Sequence, residues 1–235
     1  MKKAAIIQSN YIPWKGYFDI IHDVDVFVFL DDVQFTKNDW RNRNQIKTPN
    51  GVKWLSIPVG QHIHRNINEV ELTDSRWQKK HWDALKNSYG KAPFFRLYED
   101  FFEHIYLEST WSSLSEINQF LIAHISTNFL QCKTEFIDSR QVAAEGKKQD
   151  KLIGILKKLG AGSYLSGPAA MSYLNEEGFA QEGIKLVYKN YEGYPAYPQS
   201  YPPFAHGVSI VDLLFHTGPD ASYYIWGWRE NGVKE

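Results

Sequence analysis

Cysteine is nearly absent. Cys132 stands alone, which excludes an internal disulfide and points to a reducing compartment. An excess of charge of either sign is missing too. The 26 basic and 27 acidic residues leave a formal charge of −1 and an isoelectric point near 6.7, so no global field draws the chain to nucleic acid or to a membrane. No window approaches the roughly eighteen apolar residues of a spanning helix. The opening MKKAAIIQSNY turns polar before a secretory apolar region is complete. The expectation is a soluble, cytoplasmic protein. Gly-x-Ser-x-Gly, Walker A and Gly-x-Gly-x-x-Gly motifs are all missing, as are internal repeats and low-complexity tracts. Cys132 falls on the apolar side of an expected helix, where a thiol is inert.

Aromatic residues are abundant: Phe, Trp and Tyr make up 15% of the 235 residues, with eight Trp. They can fill a core or offer flat faces to sugars and bases. The length suits a single domain, here 1–235, with a helical insertion at about 74–131. Two short apolar runs, 4–7 and 24–30, each end in a polar cluster and read as buried strands. Between them, 16–22 is long enough for a short helix. Strand, helix, strand in this order implies a parallel sheet. The fold class expected is α/β: a mostly parallel, Rossmann-like sheet flanked by helices. In such sheets ligands sit at the carboxyl ends of the strands, and both clusters fall there.

Further along, 52–59 alternates and reads as a third strand. His62 and His64 follow in a polar loop, but nothing nearby completes a zinc site, so no metal ligand is assigned. Asp74 opens a helix to about Tyr89 with Trp77, His81, Ala84, Leu85 and Ser88 on one face. Ser113 and Glu116 form a capping-box pattern ahead of a helix to about Gln131. Within it, His124 reads as a hydrogen-bonded core residue. Strands are expected at 134–137, 163–166 and 184–188, and a helix at 149–159. The turn Ser166-Gly167-Pro168 could form a backbone nest for an anion or be a plain turn. The stretch 191–206, rich in Tyr and Pro, is too aromatic for a linker and too Pro-rich for a helix. It should wrap the body or cover a site. Ser209 caps a short helix, and an aromatic tail packs back.

The candidate site residues come from the two clusters. Gln8, Asn10 and Asn44 can orient sugar or amide groups, and Tyr11 and Trp14 can stack on a ring. Lys37, Arg41 and Arg43 suit phosphate or carboxylate, with Gln34, Trp40 and Lys47 beside them. Asp31 or Asp32, at a strand end, can act as base or bind Mg²⁺ together with a nucleotide; the cofactor is otherwise left open. The spacing Trp14-Lys15-Gly16-Tyr17 matches a His-x-Gly-His adenylate turn with both histidines replaced, leaving Lys15, Tyr11 or Tyr17 for transition-state contacts. Asp31, Asp32, Lys15 and Lys37 are the catalytic candidates. Ser166 and Gly167 complete the binding set.

Q-x-x-Y-x-P-W-x-G-Y-F from Gln8 to Phe18, Asp32-x-Gln34-Phe35 and Trp40-x-x-Arg43-Asn44-x-Ile46-Lys47 resemble the WbqC-like family. So do Trp54-Leu55-x-Ile57-Pro58-Val59, Tyr164-Leu165-Ser166-Gly167 and Ser209-Ile210-x-Asp212-Leu213-Leu214-Phe215-x-x-Gly218. The resemblance spans about 5–220. It implies a context of bacterial O-antigen and other surface-polysaccharide clusters, with a nucleotide-activated or lipid-linked sugar as small-molecule partner. That context, together with a site of anion-binding, carboxylate and aromatic groups, suggests acyl or aminoacyl transfer to an amino sugar on a nucleotide. The alternatives are an ATP-dependent adenylating enzyme and a non-catalytic carbohydrate-binding scaffold protein. Oligomeric state is not indicated.

Overall fold

The computed structural model describes residues 1–62 and 64–231. From the amino terminus, β1 (Lys3–Ile7) leads through a polar turn to α1 (Lys15–His22) and β2 (Val26–Phe29). An antiparallel hairpin follows, β3 (Arg43–Thr48) and β4 (Gly51–Ser56). It turns where Gly51 takes φ +94°, a left-handed value that glycine adopts without strain. Three helices come next: α2 (Arg76–Tyr89), α3 (Phe95–Glu103) and α4 (Leu114–His124). The chain re-enters the main sheet at β5 (Glu135–Asp138). It continues through α5 (Ser139–Val142) and α6 (Gln149–Lys158) to β6 (Ser163–Ser166). Then α7 (Glu176–Gln181) and β7 (Lys185–Tyr188) complete the sheet, with α8 (Ile210–Thr217) and α9 (Trp228–Asn231) after it.

The five main strands are parallel, in the order β5-β2-β1-β6-β7. From β1 the chain builds outward to β2 and β5, then crosses back to start the other half at β6. Side chains of a strand alternate between the two faces of a sheet. Ala5, Phe27 and Phe29 accordingly join one apolar cluster with Phe18 and Ile21 of α1. Ala4, Ile6, Val26 and Val28 join another with Leu152, Ile155 and Leu156 of α6 and Phe179 of α7. The sheet is therefore covered on both faces, the condition under which a short, wholly apolar parallel strand such as β2 is stable. Trp82, Phe102 and Leu121, from α2, α3 and α4, belong to the same cluster as Phe27, so the helical insertion shares the core of the sheet.

Several local expectations hold. Ser113 accepts from the Glu116 amide at 3.2 Å, while the Glu116 carboxylate receives the Ser112 amide instead of closing the box on Ser113. The Tyr/Pro-rich stretch wraps the body. Tyr197 donates to Asp212 at 2.6 Å, and Tyr201 to the Ser88 carbonyl at 3.0 Å. The tail packs back, with Trp226 stacked 4.0 Å from His22.

Others differ. The third strand lies in the hairpin and not in the main sheet, and its partner at residues 43–48 is a strand for which no expectation was made. Their inward positions include Asn44, whose amide is satisfied by backbone, so the apolar alternation that marks a strand is hidden. Cys132 follows a π-helical turn (Ile125–Phe129) and lies outside any helix. Burial pushes its thiol up to about 12, consistent with an inert group. His124 is half-buried and held by stacking on Phe101 at 4.2 Å.

Candidate functional site

Strand order reverses between β1 and β6, and a crevice opens past their carboxyl ends. A cavity of about 740 Å³ occupies it. The chain leaving β1 supplies Gln8 and Asn10, α1 supplies Tyr17, and Ser166 and Gly167 close the β6 side. Lys148, Gln149 and Lys151 reach in from the start of α6, which follows β5 and so begins at the same edge of the sheet. Tyr164, Tyr173, Tyr191 and Trp14 add aromatic wall. Among the described residues no Asp or Glu lines it.

Arg41 is the best-positioned cation. Its Nη2 donates to Gln8 Oε1 at 2.5 Å, and its Nη1 donates to Asn10 Oδ1. Its buried Nε has no partner among the described residues. Burial lowers the guanidinium pKa, opposed by Asp39 at 3.9 Å; an arginine stays charged under such shifts. A buried cation fixed by two neutral amides, with a donor to spare, is suited to an anion. Lys151 also lines the cavity and donates to Asp32 Oδ2 at 2.6 Å. Tyr17 and Tyr164 there are neutral donors. Tyr17 donates to the Gln8 carbonyl at 3.0 Å and burial holds its phenol well above the usual range. Burial likewise pushes Tyr164 up to about 12.

The turn between β1 and α1 is tightly determined. Ile12 takes φ +35°, a sparsely populated conformation for a β-branched residue. Asn44 holds it there, donating to the Tyr11 and Ile12 carbonyls at 3.0 Å each. The Pro13 carbonyl accepts from the Ile210 amide at 2.9 Å. Gly16 is not open to a phosphate: a Cβ there would meet the Trp14 indole at 2.3 Å. The glycine in Trp14-Lys15-Gly16-Tyr17 thus makes room for an indole, and the adenylate-turn expectation is corrected.

Other sequence candidates lie elsewhere. Tyr11 is wholly buried and bonded to His81 Nδ1 at 2.8 Å and to the Tyr106 hydroxyl, so it stacks on no ligand. Lys15 is buried under the rings of Tyr194 and Tyr197, at 4.9 and 5.5 Å, and burial lowers it to about 8. Asp31 is fully buried; it accepts from the Ser9 amide at 2.8 Å, from Gln119 at 2.9 Å and from Ser115. Asp32 is taken by Lys151 and by Ser139 at 2.6 Å. With their oxygens so engaged and neither lining the cavity, the two aspartates do not fit a Mg²⁺ site. Lys37 is exposed and bonded to Gln61 at 2.7 Å, and Gln34 is exposed in a β-bridge to Asn66. Asn44 and Lys47 are scaffold, Lys47 donating to the Pro203 carbonyl. Arg43 lies 4.2 Å from the Trp54 ring, and Trp40 leans on the same indole at 5.2 Å. His62 and His64 are exposed, and among the described residues no group of three metal-ligating side chains is assembled.

The structure thus brings together Gln8, Asn10, Trp14, Tyr17, Arg41, Ser166 and Gly167 of the sequence candidates. It adds Lys148, Lys151, Tyr173 and Tyr191, which sequence reasoning passed over as helix and loop residues. The available signal was topological: in a doubly wound sheet the helix following a strand begins at the ligand edge.

The WbqC-like protein family matches residues 8–224. A protein of Mycobacterium tuberculosis, itself uncharacterized, is 40% identical over 227 residues, covering 96% of this chain and 98% of that one. No solved structure matches significantly. Among the described residues no helix is long and apolar enough to cross a membrane.

Proposed function

This chain belongs to the WbqC-like protein family, and from that premise we propose that it is a transferase of bacterial surface-polysaccharide biosynthesis. Its cavity binds a nucleotide-activated amino sugar and passes an acyl or aminoacyl group to the sugar's amine. The observation that carries the reading is the lining itself: Arg41, Lys148 and Lys151 with five aromatic side chains and, among the described residues, no acidic one. Cations favour the diphosphate, aromatic faces favour base and sugar, and the missing carboxylates remove the repulsion that such a ligand would meet. An acyl thioester is a suitable donor class. The amine nitrogen attacks the thioester carbonyl, the C–N bond forms as the C–S bond breaks, and the amine proton leaves with the thiol. The neutral phenols and cationic groups can stabilise the developing oxyanion.

The test is a thermal-shift panel of UDP- and dTDP-linked amino sugars, ATP with Mg²⁺, and acyl thioesters, followed by mass spectrometry of donor–acceptor mixtures. A ligand that binds only the folded chain raises the midpoint. A shift with nucleotide-linked amino sugars and an amide product are expected. Binding without product would make the chain a carbohydrate-binding component. A shift confined to ATP with Mg²⁺ would overturn the reading in favour of adenylation.

A further inference from the structure

Beside the large cavity lies a smaller hollow of about 280 Å³, lined by Asn10, Pro13, Trp14, Trp40, Asn44 and Gly207. Asn10 and Trp14 line both spaces, so the two adjoin across a shared wall. Their chemistry differs. The large cavity carries the cations; among the described residues the small one has no ionisable side chain in its lining. Its polar side-chain groups are two amides and the indole N–H donors of Trp14 and Trp40. The amide of Asn44 is spent on the backbone. Asn10 accepts from Arg41, and its amide nitrogen has no partner among the described residues, leaving two donors for a ligand.

Trp40 is 43% exposed and Trp54 is 38% exposed, their rings 5.2 Å apart. Large apolar rings left in water beside a hollow need an explanation. The Trp40 backbone is fixed, its amide donating to Asp39 at 2.7 Å and its carbonyl accepting from Tyr11 at 3.0 Å. Trp54 is braced in turn by the Arg43 guanidinium at 4.2 Å. The indole is therefore held in place before any ligand arrives, which lowers the entropy lost on binding.

We infer that the smaller hollow is a sugar subsite, in which the pyranose ring of the nucleotide-linked substrate lies against Trp40 and bonds Asn10 while its diphosphate stays with Arg41. This rests on the functional reading above and names where the neutral part of that substrate sits. A neutral ring with C–H faces and hydroxyl edges matches an aromatic wall and an amide; a phosphate or a carboxylate does not.

Isothermal titration of UDP- and dTDP-linked amino sugars, and of bare UDP and dTDP, into wild type and Trp40→Ala tests it. Wild type should bind the sugar-linked ligands more tightly than the bare diphosphates. Trp40→Ala should abolish that difference, a loss of about tenfold for one stacked ring, and leave the diphosphates unchanged. A fluorine NMR spectrum of protein labelled with 5-fluorotryptophan, the Trp40 signal assigned with Trp40→Phe, should show that signal moving with sugar-linked nucleotide and not with bare diphosphate. Equal affinity of wild type for both ligand types, equal losses for both in Trp40→Ala, or a Trp40 signal that moves only with an acyl thioester would each overturn the inference and leave the functional reading standing. Wild type that binds no nucleotide at all would overturn both.

Discussion

The chain leaves β1 and β2 at the same edge of the sheet, through polar clusters of similar density, and the two clusters have opposite fates. After β1, Gln8, Asn10, Trp14 and Tyr17 face the cavity. After β2, Asp31 vanishes into the interior, Asp32 is tied down, and Lys37 faces solvent. Val33 and Arg41 reach the cavity from that second stretch, and of the two Arg41 alone is charged. What separates them is not polarity but what arrives from elsewhere. Ser115 and Gln119, 84 and 88 residues after Asp31, meet its carboxylate from α4. Past the end of β1 facing β6, the start of α6 and the turn after β6 wall the space and leave it open as the cavity.

Removing Asp31 is the strongest way to break that contrast. Asp31→Ala leaves the Ser9 amide, the Ser115 hydroxyl and the Gln119 amide without their shared acceptor. Buried donors stripped of a charged partner should lower stability by about 3–5 kcal/mol, read by urea unfolding. Asp32→Ala, at a partly exposed side chain, should cost under about 1 kcal/mol. Comparable losses in the two variants would mean that the neighbouring carboxylates play one role.

The underside of the β1 cluster offers a second contrast, in pH. His81 bonds Tyr11, and burial lowers its pKa to about 4, whereas the unfolded chain titrates near 6.5. As pH falls below about 6.5, the unfolded state takes the proton first. Stability is therefore fully present above that pH and is lost down to about pH 4, by about 3 kcal/mol in total. His81→Leu should flatten that segment of the stability-versus-pH curve. An unchanged slope would place the acid sensitivity elsewhere.

The sheet was legible because its signal is local: runs such as residues 4–7 and 26–30 are apolar throughout and end abruptly. The edge at which a ligand would sit followed from strand order. Illegible were contacts across long separations. Asp31 looked like a free acid because its partners lie in α4, and Tyr11 looked like a stacking residue because His81 and Tyr106 lie in and beyond α2. The glycine at 16 looked like a phosphate turn because nothing local says that Trp14 folds over it. Lys148 and Lys151 were passed over for the converse reason: on their own helix they are ordinary surface lysines, and only the crossover from β5 to β6 brings them to the cavity.

Arg41 sharpens the comparison, being the second cluster's contribution to the first cluster's space. Arg41→Ala should weaken nucleotide-sugar binding by about thirtyfold, the loss expected for about 2 kcal/mol of charge-assisted hydrogen bonding. The melting temperature should change little, because Gln8 and Asn10 border the cavity and can bond water there. Arg41→Lys should recover only part of the affinity, since the planar fork that spans both amides is lost. Full affinity in Arg41→Ala, measured by titration calorimetry, would remove the guanidinium from the site.

The smallest effects distinguish the lysines. Lys37 stands in solvent, bonded to Gln61, and Lys37→Ala should leave nucleotide-sugar affinity within about twofold. Lys151 faces the cavity and neutralises Asp32. Lys151→Ala removes a cation and also unmasks a carboxylate, so it should weaken an anionic ligand by about tenfold. The two contributions separate in the partner variant. Asp32→Asn keeps the lysine and removes its counter-charge, so the anion should bind more tightly than to wild type. In the double variant Lys151→Ala with Asp32→Asn, affinity should recover part of the way, because the unmasked repulsion is gone while the lost attraction is not. Tighter binding in Asp32→Asn is the sharper outcome: it would show that the carboxylate beside the cavity acts as a brake on anion binding, with the end of β2 tuning a site built at the end of β1. Weaker binding in that variant would mean instead that Asp32 holds Lys151 in its working position.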